Sequence, residues 1–228
     1  MNTDKIANIY FGKVTKRLVN WFDLKVFSYY KAADAGLVRL VREIYREERG
    51  PVLLDPEELF MIYSLARTQR KHGGEYAEVD VFQGASSKAI CEAKEGTPLH
   101  LFDTFAGLPS VGALDTRFKK GMFAASEAAV RARLAAYPQV FIYPGFFPDT
   151  AAPVAENRFS FVHLDVDTYE STKACLSFFY PRMLPGGIIL SHDYSQCQGV
   201  RKAFDEFLET RPDTFIELPF SQCLVVKN

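Results

Sequence analysis

The stretch Phe159-Ser160-Phe161-Val162-His163-Leu164-Asp165-Val166-Asp167-Thr168-Tyr169-Glu170 decides the fold. It opens as an apolar run of strand length, ends in crowded carboxylates, and leads into a helical pattern over about 170–183. A buried strand that feeds a helix in this way is half of a βαβ unit. The same pattern recurs on both sides. Tyr76–Phe82, Leu99–Phe102, Val140–Tyr143 and Gly187–Ser191 read as strands, with helical candidates near 86–94, 124–136 and 199–210. The chain then closes on Thr214–Leu218 and Cys223–Lys227, joined by Pro219-Phe220-Ser221-Gln222 as a terminal hairpin. The expectation is a doubly wound α/β fold whose mostly parallel sheet ends in an antiparallel pair.

Upstream of the sheet, Leu37, Leu40, Val41, Ile44 and Tyr45 recur at helical spacing within 34–48, and Gly50-Pro51 stops that helix. A second helix is expected from Asp55-Pro56-Glu57 to about Lys71, because Asp is a good N-cap and Pro suits the first helical position. Residues 1–33 carry Trp21, Phe22, Phe27, Tyr29 and Tyr30, which predicts packing against the core or a partner subunit, or a lid over the substrate. The expected organisation is an N-terminal helical extension over 1–54 and a main domain over 55–228. A homo-oligomer would use that extension.

The bulk properties narrow the function. Net charge is −1 over 228 residues and no Lys/Arg cluster stands free of acids, so nucleic acid is not the expected partner and a small molecule is. Cys91, Cys175, Cys197 and Cys223 lack C-x-x-C spacing, which argues against a zinc or redox pair and for buried, reduced thiols. No apolar run suits a signal peptide or a membrane span, so the expected address is cytoplasmic.

Ligands of open α/β sheets bind outside the carboxyl ends of the strands. The first strand there leads through Glu78, Asp80, Phe82, Gln83 and Gly84 into Ser86-Ser87, a Gly turn and helix start that can present N–H groups to a cofactor. The second ends in Asp103-Thr104-Phe105, a carboxylate placed for ribose hydroxyls or, on the bland reading, for a turn. Asp165 and Asp167 end the fourth, and His192 and Asp193 the fifth. Oxygens of Asp165 and Asp193 suit a divalent cation, whereas His192 suits a softer metal or proton transfer. His163 and His100, set among apolar residues, read as core histidines.

These segments resemble the macrocin O-methyltransferase family. The resemblance is carried by Ala77-Glu78-Val79-Asp80-Val81-Phe82-Gln83-Gly84, Leu101-Phe102-Asp103-Thr104-Phe105-Ala106-Gly107-Leu108-Pro109, Gly145-Phe146-Phe147-Pro148-Asp149-Thr150, Asp165-Val166-Asp167-Thr168-Tyr169-Glu170-Ser171-Thr172 and the stretch from Pro185-Gly186-Gly187 to Asp193-Tyr194. It implies a seven-stranded sheet with a reversed last strand, S-adenosylmethionine as cofactor, and methylation of a hydroxyl on a sugar or other secondary metabolite. By the same analogy Glu78 and the Gln83-Gly84 turn border the methionine part, Asp103 takes the ribose, and the Gly145-Phe146 loop lies near adenine. Phe82, Ser87, Thr104, Phe105 and Asp165 are further cofactor-binding candidates. Asp165, His192 and Asp193 occupy the metal positions, for Mg2+ or Mn2+, and Asp167 or His192 is the general base. Two residues depart from the family pattern: Asp80 where Gly is usual, and His192 where a second Asp is usual.

Other readings are weaker. In the Asp-x-Asp-x-Thr motif of phosphohydrolases Thr follows the second Asp by two positions, whereas Thr168 follows Asp167 directly. A nicotinamide dehydrogenase lacks its Gly-rich fingerprint here. A non-catalytic cofactor-binding protein of methyltransferase descent is kept open by Asp80 and His192.

Overall fold

The computed structural model describes residues 34–47, 53–109 and 111–228. The aromatic segment 1–33, and with it the lid or oligomer reading, lies outside the described residues. The chain divides into two compact units, one ending at Glu47 and one from Glu48 onward. In the first, helix α1 (Ala35–Glu47) buries Leu37, Val38, Leu40, Val41 and Ile44, the expected apolar stripe. Asp34 Oδ1 accepts from Gly36 N at 2.9 Å and Leu37 N at 3.1 Å, which starts the helix.

The second unit opens with α2 (Pro56–Gln69). Asp55 is its N-cap, Pro56 fills the first turn, and Glu58 Oε2 accepts the Asp55 N–H at 2.9 Å, as in a capping box. There follow β1 (Glu75–Val79), α3 (Ala85–Lys94), β2 (Leu99–Asp103), α4 (Glu127–Leu134), β3 (Val140–Pro144) and β4 (Phe159–Leu164). The unit finishes with α5 (Tyr169–Phe179), β5 (Met183–Ser191), α6 (Gln198–Leu208), β6 (Thr214–Glu217) and β7 (Cys223–Val226).

The seven strands form one sheet in the order β3-β2-β1-β4-β5-β7-β6. β1 to β5 are parallel, and β7 runs antiparallel to both of its neighbours. The parallel sheet and the reversed last strand stand as the sequence predicts.

Strand alternation sorts the core into two layers. Ala77, Val79, Phe102, Val162, Leu164 and Ile189 belong to a cluster with Leu176 and Phe179 of α5 and Phe204 of α6. The intervening residues face the other side, where Tyr76 Oη donates to Ala66 O of α2 at 2.5 Å and Glu78 meets Ser87 of α3.

Some boundaries differ from expectation for local reasons. β1 stops at Val79 instead of Phe82 because Asp80 (φ 68°) and Phe82 (φ 49°) are left-handed. The helix expected to reach 183 ends at Phe179, and Tyr180–Arg182 is a 3₁₀ turn holding Pro181. β5 begins at Met183, ahead of the expected Gly187.

Candidate active site

The site lies where the strand order reverses, at the carboxyl ends of β1, β4 and β5. Asp80 N donates to Phe102 O at 2.9 Å, Asp165 N to Val79 O at 3.1 Å and His192 N to Leu164 O at 2.8 Å. Each strand end is thus tied to its neighbour, and their side chains share one cleft.

That cleft has a volume of about 260 Å³. Its polar wall is Glu58, Asp80, Asp165, Asp167, His192 and Asp193; Leu54, Phe118 and Phe123 supply apolar surface, and Phe82 and Gln83 its edge. A second cavity, of about 40 Å³, is lined by Asp103, Thr104, Gly145 and Phe146. Asp80 lines both.

Most sequence-predicted residues therefore meet in these two spaces, and four do not line them. Glu78 and Ser87 are fully buried, with the Ser87 hydroxyl on Glu78 Oε2 and His163 Nδ1 2.8 Å from Glu78 Oε1. Gly84 (φ 82°) caps α3 behind the turn. Phe105 is held left-handed (φ 55°), its N–H on Asp103 Oδ1 at 2.6 Å. His100, also buried, contacts Glu75 at 2.7 Å, so both core histidines are where the sequence predicts.

Asp103 anchors the turn after β1. Its Oδ2 accepts from Val81 N and Phe82 N, both at 2.7 Å. Two carboxylate oxygens offer about four lone-pair sites, and with Phe105 N three are occupied. The fourth is taken by the neighbouring Asp80 carboxyl, so a ribose hydroxyl would reach Asp103 only by displacing that contact. Burial, and then the Asp103 charge beside it, push the Asp80 carboxyl well above the usual range. Asp80 lies between the cavities.

The acids of β4 and β5 separate into two kinds. Burial, reinforced by Asp165 and Asp193, pushes Asp167 up to about 10, so it carries a proton. Burial also works against the charge of Asp193, but contact with His192 outweighs it and holds that carboxyl below its usual value. His192 shows the reverse: burial opposes its charge, yet Asp165, Asp193 and Glu58 raise it well above the ordinary imidazole value.

Around the ring of His192, Nδ1 lies 3.1 Å from Asp165 Oδ1 and 3.4 Å from Asp193 Oδ2, and Nε2 lies 3.0 Å from Glu58 Oε2. These contacts are short but bent, so neither buried ring nitrogen makes a well-aligned hydrogen bond. Adjacent donors on an ion that each lie about 2.0–2.2 Å from it stand roughly 3 Å apart. Asp165, His192 and Asp193 fit a divalent cation on that measure. The nitrogen favours manganese or another transition ion over magnesium. Asp167, Asp193 and Cys197 also cluster, but burial pushes the Cys197 thiol up to about 12, which leaves it a poor ligand.

Glu58 and Arg117 were not legible as site residues. Glu58 drew no reading of its own from the sequence, lying just past the Asp55-Pro56-Glu57 helix start. Arg117 reaches the cleft from a loop that matches no motif, and its guanidinium helps hold Asp193 ionised.

Residues 68–220 match the family model described as macrocin-O-methyltransferase. The chain belongs to that family. Members most like it include the 8-demethyl-8-(2,3-dimethoxy-alpha-L-rhamnosyl)-tetracenomycin-C 4'-O-methyltransferase of Streptomyces olivaceus, 33% identical over 54% of this chain and 53% of the relative. The demethyldecarbamoylnovobiocin O-methyltransferase of Streptomyces niveus is 29% identical over 59% of this chain and 58% of its own. The chain spans about half the length of these curated relatives. Among solved structures, the O-methyltransferase NovP superposes with a TM-score of 0.69 at 25% identity, covering 78% of this chain and 82% of NovP. The calicheamicin methyltransferase CalS11 shares the fold, with a TM-score of 0.65 at 17% identity over 82% of this chain and 91% of its own.

The family's matched stretch holds Asp80, Asp103, Asp165, Asp167, His192 and Asp193, and leaves out Glu58. All four cysteines are free and buried, and among the described residues no helix is long and apolar enough to cross a membrane.

Proposed function

We propose that this chain is an S-adenosylmethionine-dependent O-methyltransferase that methylates a hydroxyl of a small molecule, a sugar or other secondary metabolite, with the help of a divalent ion. The observation that carries the reading is the convergence of Asp165, His192 and Asp193 in one cleft beside the β1 turn, within a chain of this family. The names of its relatives, each an O-methyltransferase of a secondary metabolite, support the substrate class.

When bound, adenosylmethionine supplies an electrophilic methyl on a sulfonium. Asp103, Gly145 and Phe146 would hold its nucleoside end, and Phe82 and Gln83 its amino-acid end. The carboxylates of Asp165 and Asp193 favour that cation over the neutral thioether product by simple attraction. A divalent ion held by Asp165, His192 and Asp193 would supply positive charge that lowers the pKa of an acceptor hydroxyl.

The residues of the chain then position and protect. Phe118, Phe123 and Leu54 give the cleft apolar walls that exclude water from the acceptor, and His192, helped by Arg117, keeps Asp193 ionised. Asp167 is the proton acceptor beside the ion, and His192 would take that role only where it holds no ion. Burial and the neighbouring carboxylates make Asp167 hold its proton, so positive charge among those carboxylates is needed before it serves as a base. General-base assistance of this kind contributes about 10²–10⁴-fold.

The test is product release. Adenosylhomocysteine formation from adenosylmethionine, assayed by mass spectrometry against glycosylated and phenolic hydroxyl acceptors, should require both an acceptor hydroxyl and an added divalent ion. Binding of the cofactor without turnover for any acceptor, with and without metal, would contradict the proposal.

A further inference from the structure

Glu58 is a buried carboxylate with more to do than cap a helix. It sits in the first turn of α2, where Leu59 and Ile62 are fully buried and fix the helix. Its Oε1 accepts from the Ser221 hydroxyl and from Ser221 N at 3.3 Å, and its Oε2 accepts from Asp55 N at 2.9 Å. The remaining position on Oε2 faces His192 Nε2 at 3.0 Å.

A neutral Gln would complete the capping box as well as Glu does. A charge buried to 3% exposure is costly unless a cationic or strongly donating group answers it. Of the donors around Glu58, the Asp55 and Ser221 groups belong to the helix anchor, and His192, with Nε2 3.0 Å from Oε2, is the one that also belongs to the candidate cation site. Imidazoles that bind metal through one nitrogen usually give the other N–H to a carboxylate, which fixes the tautomer and the ring plane.

We infer that Glu58 is a positioning residue: its Oε2 stands 3.0 Å from His192 Nε2, and straightening that bent contact gives it the Nε2–H and holds Nδ1 toward Asp165 and Asp193 as a nitrogen donor for a transition-metal ion. The inference rests on the metal reading above. Removing such an outer partner costs about 10–100-fold in metal affinity. Glu58 acts through His192 and touches neither acceptor nor cofactor, so its effect should fall on the ion and on the ring.

The experiment is Mn2+ titration of the full chain followed by electron paramagnetic resonance, with Glu58→Gln and Ser221→Ala beside the unmodified protein. Glu58→Gln should weaken Mn2+ binding about 10–100-fold, whereas Ser221→Ala, which loosens the same helix anchor without touching His192, should leave it within about twofold. Long-range 1H–15N NMR of the metal-free protein, at a pH where the ring is neutral, should show His192 as the Nε2–H tautomer, and a mixture in Glu58→Gln. Equal Mn2+ affinity in Glu58→Gln and the unmodified protein, equal losses in both variants, or an Nδ1–H tautomer in the unmodified protein would each overturn the inference. Absence of Mn2+ binding in the unmodified protein would defeat the metal reading instead, and the tautomer comparison would still decide the role of Glu58. Should Glu58→Gln fail to fold, Glu58→Asp, which keeps the charge but falls short of Nε2, takes its place with the same expected losses.

Discussion

His163 Nδ1 lies 2.8 Å from Glu78 Oε1, and neither side chain reaches solvent. The two residues are register partners on β4 and β1, facing the α2 and α3 side of the sheet, and Ser87 donates to the other Glu78 oxygen. This buried network joins two central strands to a helix. Glu78→Leu would leave the Ser87 hydroxyl and His163 without an acceptor, at a cost of about 1–3 kcal/mol for each buried group left unpaired. The denaturation midpoint should fall accordingly while calorimetric affinity for adenosylhomocysteine stays nearly constant. A folded variant of full stability with weakened cofactor binding would place Glu78 at the cofactor instead.

Asp80 holds a left-handed conformation at φ 68°, and its half-buried carboxyl is pushed well above the usual range, first by loss of solvent and then by Asp103. Left-handed backbone costs a non-glycine residue about 1–2 kcal/mol, so Asp80→Gly should stabilise the protein by about that amount. It should also change the pH response. A carboxyl whose folded value is raised stabilises the fold fully below its unfolded value of 3.8, and the benefit is lost as pH rises toward the folded value. The advantage of Asp80→Gly should therefore be larger at pH 8 than at pH 4 in urea unfolding. An advantage that shrinks as pH rises would contradict the assignment.

Asp103→Ala should do two things at once, because the carboxylate anchors the turn and would meet the cofactor where it now meets the Asp80 carboxyl. Three backbone N–H groups, of Val81, Phe82 and Phe105, lose their acceptor. Charged hydrogen bonds are worth about 1.5–3 kcal/mol each, so both unfolding free energy and adenosylmethionine affinity should drop. An unchanged dissociation constant in a folded variant would confine Asp103 to the turn.

The parallel sheet was legible because each strand is an apolar run ending in a distinct polar signal, as in Leu164-Asp165 and Ser191-His192. The reversed β7 was legible from the terminal hairpin. Residue identity alone could not show that Asp103 spends most of its acceptor capacity on the turn, since that depends on the left-handed backbone at Asp80 and Phe82. Glu58 was hidden for a similar reason. It lies 134 residues before His192, and only the packing of α2 over the ends of β5 and the β6–β7 connection brings the two together. Family resemblance drew Glu78 and Ser87 toward the cofactor, whereas strand alternation turns Glu78 to the buried face.

Metal preference follows from the donor set. One imidazole and two carboxylates suit manganese better than an all-oxygen site does, so chelation should abolish turnover and manganese should restore it at least as well as magnesium. His192→Asp replaces the nitrogen with a hard oxygen and should shift the preference toward magnesium. Ion-by-ion rates for both proteins decide this, and an identical order of ions in each would count against His192 as a ligand.

The most direct measurement of the central claim is transfer of a labelled methyl from adenosylmethionine to hydroxyl acceptors by the unmodified protein and by Asp165→Asn and Asp193→Asn. The account predicts an O-methylated product whose rate falls by about 10²-fold or more in either variant, with the fold intact by circular dichroism. Methyl transfer that persists in both variants and ignores a chelator would contradict it.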